Sequence, residues 1–245
     1  MIILKAENVT KEYDGANVIE NINIELKKGE IISLLGVSGV GKSTLFNILS
    51  GLLMPDAGKV ILDEEDVTGK PGKISYMLQK DLLLPHKKII DNVSLPLVIN
   101  GTKKKEAREK VKPLFSQFGL DGCEYKYPNQ LSGGMRQRAA FFRTYMSSKG
   151  VALLDEPFSA LDTITKASMH KWYLDVMKNI DMSTIFITHD IDEAIKLSDR
   201  IYVLAGKPGM VKEEIHILKD KPRDSEFEFT DEYIGYKKKI LNALM

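Results

Sequence analysis

The spacing of apolar residues changes period several times along the chain. From Ile22 to Leu26 it alternates: Ile22, Ile24 and Leu26 fall on one face, Asn21, Asn23 and Glu25 on the other. Period two predicts a half-buried strand over about Val18 to Leu26, ended by the turn Lys28-Gly29-Glu30. The next strand, Ile31 to Leu35, reads as apolar on both faces and belongs in the centre of a sheet. A helix over about Lys42 to Leu49 follows, closed by Gly51. Ile2-Ile3-Leu4 opens a short strand, and Lys59 to Asp63, Lys73 to Leu78, Val151 to Leu154, Thr184 to Thr188, Arg200 to Leu204 and Val211 to Ile217 read as further strands. Helices are predicted over about Thr165 to Asn179 and Asp231 to Leu244. Between Leu82 and Ser148 the pattern turns helical, punctuated by Pro85, Pro96, Gly101 and Pro113. Ala107, Val111, Leu114, Phe115 and Phe118 keep a helical spacing, and Pro113 inside it predicts a kink or break. Strands alternating with helices make this an α/β chain with a mostly parallel sheet covered on both faces.

Composition narrows the picture. A chain of 245 residues, 43% hydrophobic, suits one large α/β domain or a domain with a small subdomain. The formal net charge of +1 offers no bulk attraction to nucleic acid or an anionic membrane. Lys103-Lys104-Lys105 and Lys237-Lys238-Lys239 read as solvated helix faces. The single cysteine, Cys123, excludes an internal disulfide and a cysteine metal site, and reads as a passive, partly buried thiol. Neither a leader peptide nor a run of the ~20 apolar residues that span a bilayer stands out. The expectation is a cytoplasmic protein whose membrane role, if any, comes through a partner.

The candidate chemistry is concentrated between the central strand and the first helix. Gly36-Val37-Ser38-Gly39-Val40-Gly41-Lys42-Ser43-Thr44 has the spacing G-x-x-x-x-G-K-S in a strand–loop–helix context, which a phosphate-binding loop requires. The glycines let backbone N–H groups reach phosphate oxygens, and the helix N-terminus faces the same anion. Lys42 is expected to reach the β- and γ-phosphates, and the Ser43 hydroxyl to ligate Mg²⁺. Val151 to Leu154 delivers Asp155 and Glu156 to the C-terminal edge of the sheet, where open α/β sheets bind ligands. Asp155 is the expected acidic partner of Mg²⁺, and Glu156 is placed to polarise an attacking water. Ser132-Gly133-Gly134 opens a second helix and forms a second anion-binding end.

Leu131-Ser132-Gly133-Gly134-Met135 is similar to the signature motif of the ATP-binding cassette (ABC) ATPases, and the chain resembles that family over almost its whole length. Seven motifs fall in the family's order: Tyr13, the phosphate loop, Gln79, the signature, Asp155-Glu156, Ser159-Ala160-Leu161-Asp162 and His189. The resemblance implies a P-loop NTPase of ABC type, with a RecA-like core, an antiparallel β subdomain and an α-helical subdomain. In that arrangement residues 1–81 and 149–245 form the core and β subdomain, and 82–148 the helical part. Tyr13 resembles the aromatic that stacks on adenine. Gln79 resembles the glutamine that touches Mg²⁺ and water and faces the transporter partner. Asp162 resembles the aspartate that links two sites across a dimer, and His189 the switch histidine at the γ-phosphate. Read alone, Tyr13 is a half-buried strand-end residue, Gln79 a surface residue, Asp162 a turn or helix-cap residue and His189 structural. The fifth signature position, commonly Gln, is Met135 here. A hydrogen bond from that side chain is lost, while Ser132, Gly133 and Gly134 keep the phosphate contacts, so a modest change in affinity is expected.

The resemblance implies that ATP is sandwiched between the phosphate loop of one copy and the signature of a second copy or close homologue. Glu156 would activate water while Lys42 and His189 stabilise the transition-state charge. The implied partners are separate integral-membrane permease subunits, docked on the loop Gln79 to Pro85 and the helices after it, and an extracytoplasmic solute-binding protein. Residues 155–162, Ser198-Asp199-Arg200 and Lys207-Pro208-Gly209 resemble the nitrate/sulfonate/taurine branch, which includes importers of thiamine precursors. The expectation is the ATPase of a small-solute importer on the inner face of the membrane, without the long C-terminal regulatory domain of sugar-importer relatives. Soluble cassettes of DNA repair or translation, and regulators of a membrane enzyme, are the alternatives. The first two fit poorly with the short span between loop and signature and the single motif set.

Overall fold

The computed structural model describes residues 1–224 and 226–245. The chain starts with an antiparallel pair, β1 (Ile2–Tyr13) and β2 (Ala16–Lys27), followed by β3 (Ile31–Gly36), α1 (Lys42–Leu49), β4 (Ala57–Leu62), β5 (Glu65–Asp66) and β6 (Ser75–Met77). Four helices come next: α2 (Ile89–Val93), α3 (Leu95–Ile99), α4 (Lys104–Val111) and α5 (Gly133–Ser147). The remainder alternates as β7 (Val151–Asp155), α6 (Thr163–Met177), β8 (Ser183–Thr188), α7 (Ile191–Leu197), β9 (Arg200–Ala205), β10 (Met210–His216) and α8 (Asp231–Leu244).

The strands make two sheets. The smaller, β2-β1-β4-β5, is antiparallel; the larger runs β10-β9-β3-β8-β7-β6, parallel except for the edge strand β10. All residues of β3, β8 and β9 are buried, as strands covered on both faces must be. One core lies between the two sheets and encloses Leu45, Phe46, Ile48 and Leu49 of α1. A second lies on the opposite face of the large sheet, where Phe115, Phe118 and Phe142 from the helical stretch join Ala152, Leu154 and Phe186 of the strands. The helices between residues 82 and 148 therefore share their core with the sheet. A third, smaller core packs α7 and α8 against β9 and β10.

Several strands differ from their sequence reading for local reasons. β1 runs to Tyr13 rather than stopping near Leu4, because register shifts and a left-handed Asn8 (φ 51°) break its alternation while pairing continues. The helical spacing that continues to Phe118 ends as a helix at Val111, and Lys112–Leu114 tightens into a 3₁₀ turn at Pro113. Cys123 is fully buried rather than partly so, at 2% exposure.

Arg200 fastens the sheets together. Its guanidinium donates to Glu30, Glu214, Tyr202 Oη and the Glu25 carbonyl. Burial alone would raise the Glu30 carboxyl; the hydrogen bonds from Arg200 and the Lys27 N–H outweigh it and hold the group below the usual range. Asp199 accepts from the Ile31 N–H and from Lys221, fixing the start of β3.

Candidate active site

The central strand β3 ends at the loop from Gly36 to Gly41, and α1 carries on with Lys42, Ser43 and Thr44 in its first turn. Gly41 sits at φ 101°, where a Cβ would also lie 2.3 Å from Ile19 Cγ2. Only glycine fits that turn. The Lys42 ammonium donates to the Gly36 carbonyl at 2.7 Å and the Val37 carbonyl at 3.0 Å, so the side chain spans its own loop. Val37, Ser38 and Gly39 are exposed, and Val40 is buried beneath them.

In front of the loop lies a cleft of about 300 Å³, lined by Val18, Ser38, Gly39, Gly41, Lys42, Ser43, Thr44, Asp155, Glu156 and Ile187. Burial lowers the Lys42 ammonium, against the pull of Glu156 and Asp155. Burial also pushes the Asp155 carboxyl up, despite the hydrogen bond from Tyr76. Both shifts come from loss of water, and partners of opposite charge would relieve both: phosphate at the ammonium, a cation at the carboxylate. Among the described residues no cluster of three metal-ligating side chains exists. The Asp155 carboxylate and the Ser43 hydroxyl in the same cleft nonetheless suit Mg²⁺, which takes few protein ligands and completes its shell with water and nucleotide phosphate.

Glu156 is where this cleft meets a larger cavity, of about 730 Å³, lined among others by Gln79, Gly133, Gln137, Ser159 and His189. Gln79 Nε2 donates to Glu156 Oε2 at 3.0 Å, and His189 Nδ1 lies 3.2 Å from Glu156 Oε1. Ser159 Oγ donates to the Glu156 carbonyl at 3.0 Å. Glu156 itself takes φ 45°, an uncommon conformation for a residue with a side chain. The carboxylate is held between an amide and an imidazole at the edge of the phosphate cleft, close enough to act on a water there.

Of the remaining sequence candidates, Gly133 lines the larger cavity with Glu156, and the rest are dispersed. Ser132 caps α5, its hydroxyl accepting from the Met135 N–H at 3.3 Å, and both Ser132 and Gly133 are exposed. Gly134 is buried and Met135 is half-buried against the helical core. None of these four lines the phosphate cleft. Asp162 caps α6 by accepting from the Ile164 and Thr165 N–H groups, the cap geometry its sequence position also allowed. Tyr13 stands at the tip of the β1–β2 hairpin, 46% exposed, with the Lys11 ammonium 5.5 Å from its ring centre.

Two supporting residues had no local sequence signal as part of the site. Tyr76, on β6, donates to Asp155 Oδ2 at 3.2 Å. Gly209 pairs with β2 through Val18 and Glu20 and lies behind the phosphate loop; a Cβ there would be 2.0 Å from the Val40 carbonyl oxygen.

The profile of the family described as ABC transporter matches residues 19–159. The formylaminopyrimidine import ATP-binding protein ThiZ of Halalkalibacterium halodurans is 41% identical over 245 residues, covering 99% of this chain and 96% of that protein. The aliphatic sulfonates import ATP-binding protein SsuB of Bacillus cereus is 38% identical over 232 residues, 95% of this chain and 90% of that protein. A solved dimeric cassette, MJ0796 in a post-hydrolysis state bound to ADP and phosphate, is similar with a TM-score of 0.74 and 30% identity, over 89% of this chain and 100% of its own. With a phosphate-loop cleft, a carboxylate at its rim and a P-loop α/β core, the chain belongs to the ABC transporter family, as one of its ATP-binding, ATP-hydrolysing subunits.

Proposed function

We propose that the chain is the ATPase half-unit of an importer of a small solute and works as a two-fold pair. The observation that carries this reading is that the signature residues do not line the phosphate cleft, although Gly133 lines the cavity that adjoins it at Glu156. The phosphate cleft holds Lys42, Ser43, Asp155 and Glu156 but none of Ser132, Gly133, Gly134 or Met135. A γ-phosphate bound at Lys42 is thus met by the signature of another copy, or of a close homologue. The exposed Ile164, beside Asp162 at the start of α6, supports a contact there between copies.

Backbone N–H groups of residues 36–44 and the Lys42 ammonium bind the phosphates; Tyr13 offers an exposed ring for adenine. Ser43, Asp155 and Gln79 hold Mg²⁺, which supplies charge neutralisation on the phosphate oxygens when bound. Glu156 accepts the proton of the attacking water, and His189 and Lys42 stabilise the developing negative charge. The chain acts as one ATP-binding unit in which residues 82–148 form a helical arm over the core 1–81 and 149–245. A groove lined by Leu82, Leu84, Leu95, Pro96 and Ile99, next to Gln79, suits an apolar segment of a membrane-embedded permease. Among the described residues no helix is long and apolar enough to cross a membrane; docking on that partner would hold the subunit at the cytoplasmic face. The names of its relatives favour aliphatic sulfonates or a formylaminopyrimidine as the solute class, delivered by an extracytoplasmic binding protein; no role with nucleic acid is proposed.

The test is E156Q. Hydrolysis should fall about 100-fold or more, and size exclusion with light scattering should show a dimer that forms only with ATP. Normal turnover with a monomer throughout would sink both the assignment of Glu156 and the paired mechanism.

A further inference from the structure

Tyr76 occupies the middle of the edge strand β6, three residues before Gln79, and three different parts of the molecule meet on its side chain. Its hydroxyl donates to Asp155 Oδ2 at 3.2 Å. Its ring packs edge-on against Phe46, with centroids 5.8 Å apart and planes at 80°, and Phe46 is a fully buried residue of the helix that follows the phosphate loop. The ring is also half-exposed and lines the groove of about 470 Å³ formed with Leu82, Leu84, Leu95, Pro96 and Ile99. One aromatic side chain therefore has its polar end on a carboxylate of the phosphate cleft and also lines a surface groove.

This arrangement is chemically specific. Asp155 ends β7 with one carboxylate oxygen taken by the phenol, which leaves Oδ1 as the oxygen for another partner. A hydrogen bond to one oxygen fixes the rotation of the carboxylate, and such outer partners typically change metal affinity by about 10- to 100-fold when removed. A phenylalanine would keep the packing on Phe46 and the groove wall but lose that orientation. The ring is rigid, so a ligand pressing on the groove edge moves the hydroxyl at the far end. Gln79 follows on the same strand end and reaches Glu156. The strand and the bend that follows it thus send one side chain to each of the two adjacent carboxylates.

We propose that Tyr76 is a positioning residue for Asp155: it holds the carboxylate in the orientation that receives Mg²⁺ and makes that orientation respond to whatever fills the groove. The identity of the groove's natural occupant rests on the docking reading given above; the contact between groove and carboxylate does not.

The test measures ATP affinity by calorimetry twice, in EDTA and in millimolar Mg²⁺, for the unaltered chain and for Y76F. The gain in affinity on adding Mg²⁺ should shrink by about tenfold in Y76F, while affinity in EDTA stays within about twofold because the phosphate loop is untouched. An equal Mg²⁺-dependent gain in both proteins overturns the positioning role. A second arm fills the groove without a membrane partner: I99C is labelled with a fluorescein maleimide, selectively because Cys123 is buried. The label should change the Mg²⁺-dependent gain at least about threefold with Tyr76 present and leave it unchanged in the Y76F background. No change in the Tyr76 background overturns the link to the groove. Neither arm uses a permease, so failure of the docking reading, seen as a permease that binds elsewhere, is a separate result.

Discussion

Two helix N-termini in this molecule carry glycines and are the proposed anion sites, yet they are built differently. The start of α1 is enclosed: β3 is buried throughout, Lys42 is bonded to two loop carbonyls, Gly209 backs the loop, and two carboxylates face it across the cleft. The start of α5 is a bare helix end. Ser132 and Gly133 are exposed, and the only capping bond is the local one from the Met135 N–H to the serine hydroxyl. The first has everything needed to hold a polyphosphate alone. The second has a dipole, backbone donors and a hydroxyl, which is enough to close over a phosphate that something else already holds. On the proposed reading, binding and closure fall to different surfaces.

The contrast is broken most severely by K42A. Removing a buried cation from a phosphate partner costs about 2–5 kcal/mol, so ATP affinity measured by calorimetry should fall at least about 30-fold. Unchanged affinity would mean that the enclosed end is not the binding end. G133D attacks the other surface. Its Cβ has its nearest neighbour, Leu161 Cδ2, at 3.8 Å, so the fold should be kept. The new carboxylate would oppose phosphate. ATP binding to the single chain should stay within about twofold, while the ATP-dependent dimer disappears and hydrolysis falls about 100-fold, a loss within the same range of electrostatic cost. A matching loss of binding to the monomer would erase the distinction between the two ends. The smallest effect is expected from M135Q. Restoring a donor and acceptor at the fifth signature position should tighten dimerisation by about two- to threefold, the worth of one exposed hydrogen bond. Because Met135 packs on the helical core, the exchange should also cost about 0.5–1 kcal/mol of stability, read as a drop in Tm.

The parts of the site that sequence makes legible are those coded by contiguous residues. The run Gly36 to Thr44, the apolar strand ending in Asp155-Glu156, and Ser132 ahead of α5 each carry their element and chemistry within a few positions, and each element forms where expected. The ring of polar contacts around Glu156 depends on three separate chain segments. Its hydrogen bonds to Gln79 and His189 span 77 and 33 residues, and no local period encodes them. Tyr76 and Gly209 belong to the same class: each acts on the cleft from a strand or turn whose own pattern is complete without it. α7 was missed for another reason. It is a short helix of 7 residues, and its signal is the Asp190 cap, which accepts from the Asp192 and Glu193 N–H groups. β1 shows the opposite failure, a long strand hidden by bulges that scramble its alternation.

The backbone at Glu156 bears on how this protein can evolve. A side-chain-bearing residue at φ 45° gives up stability of order 1 kcal/mol relative to a relaxed conformation. Glycine or asparagine would be more comfortable at that corner, so selection for thermal robustness alone would drift away from glutamate. Persistence of glutamate there under selection for heat tolerance would then record continuing demand for the carboxylate, and its loss would be an early mark of a copy that binds nucleotide but no longer turns it over.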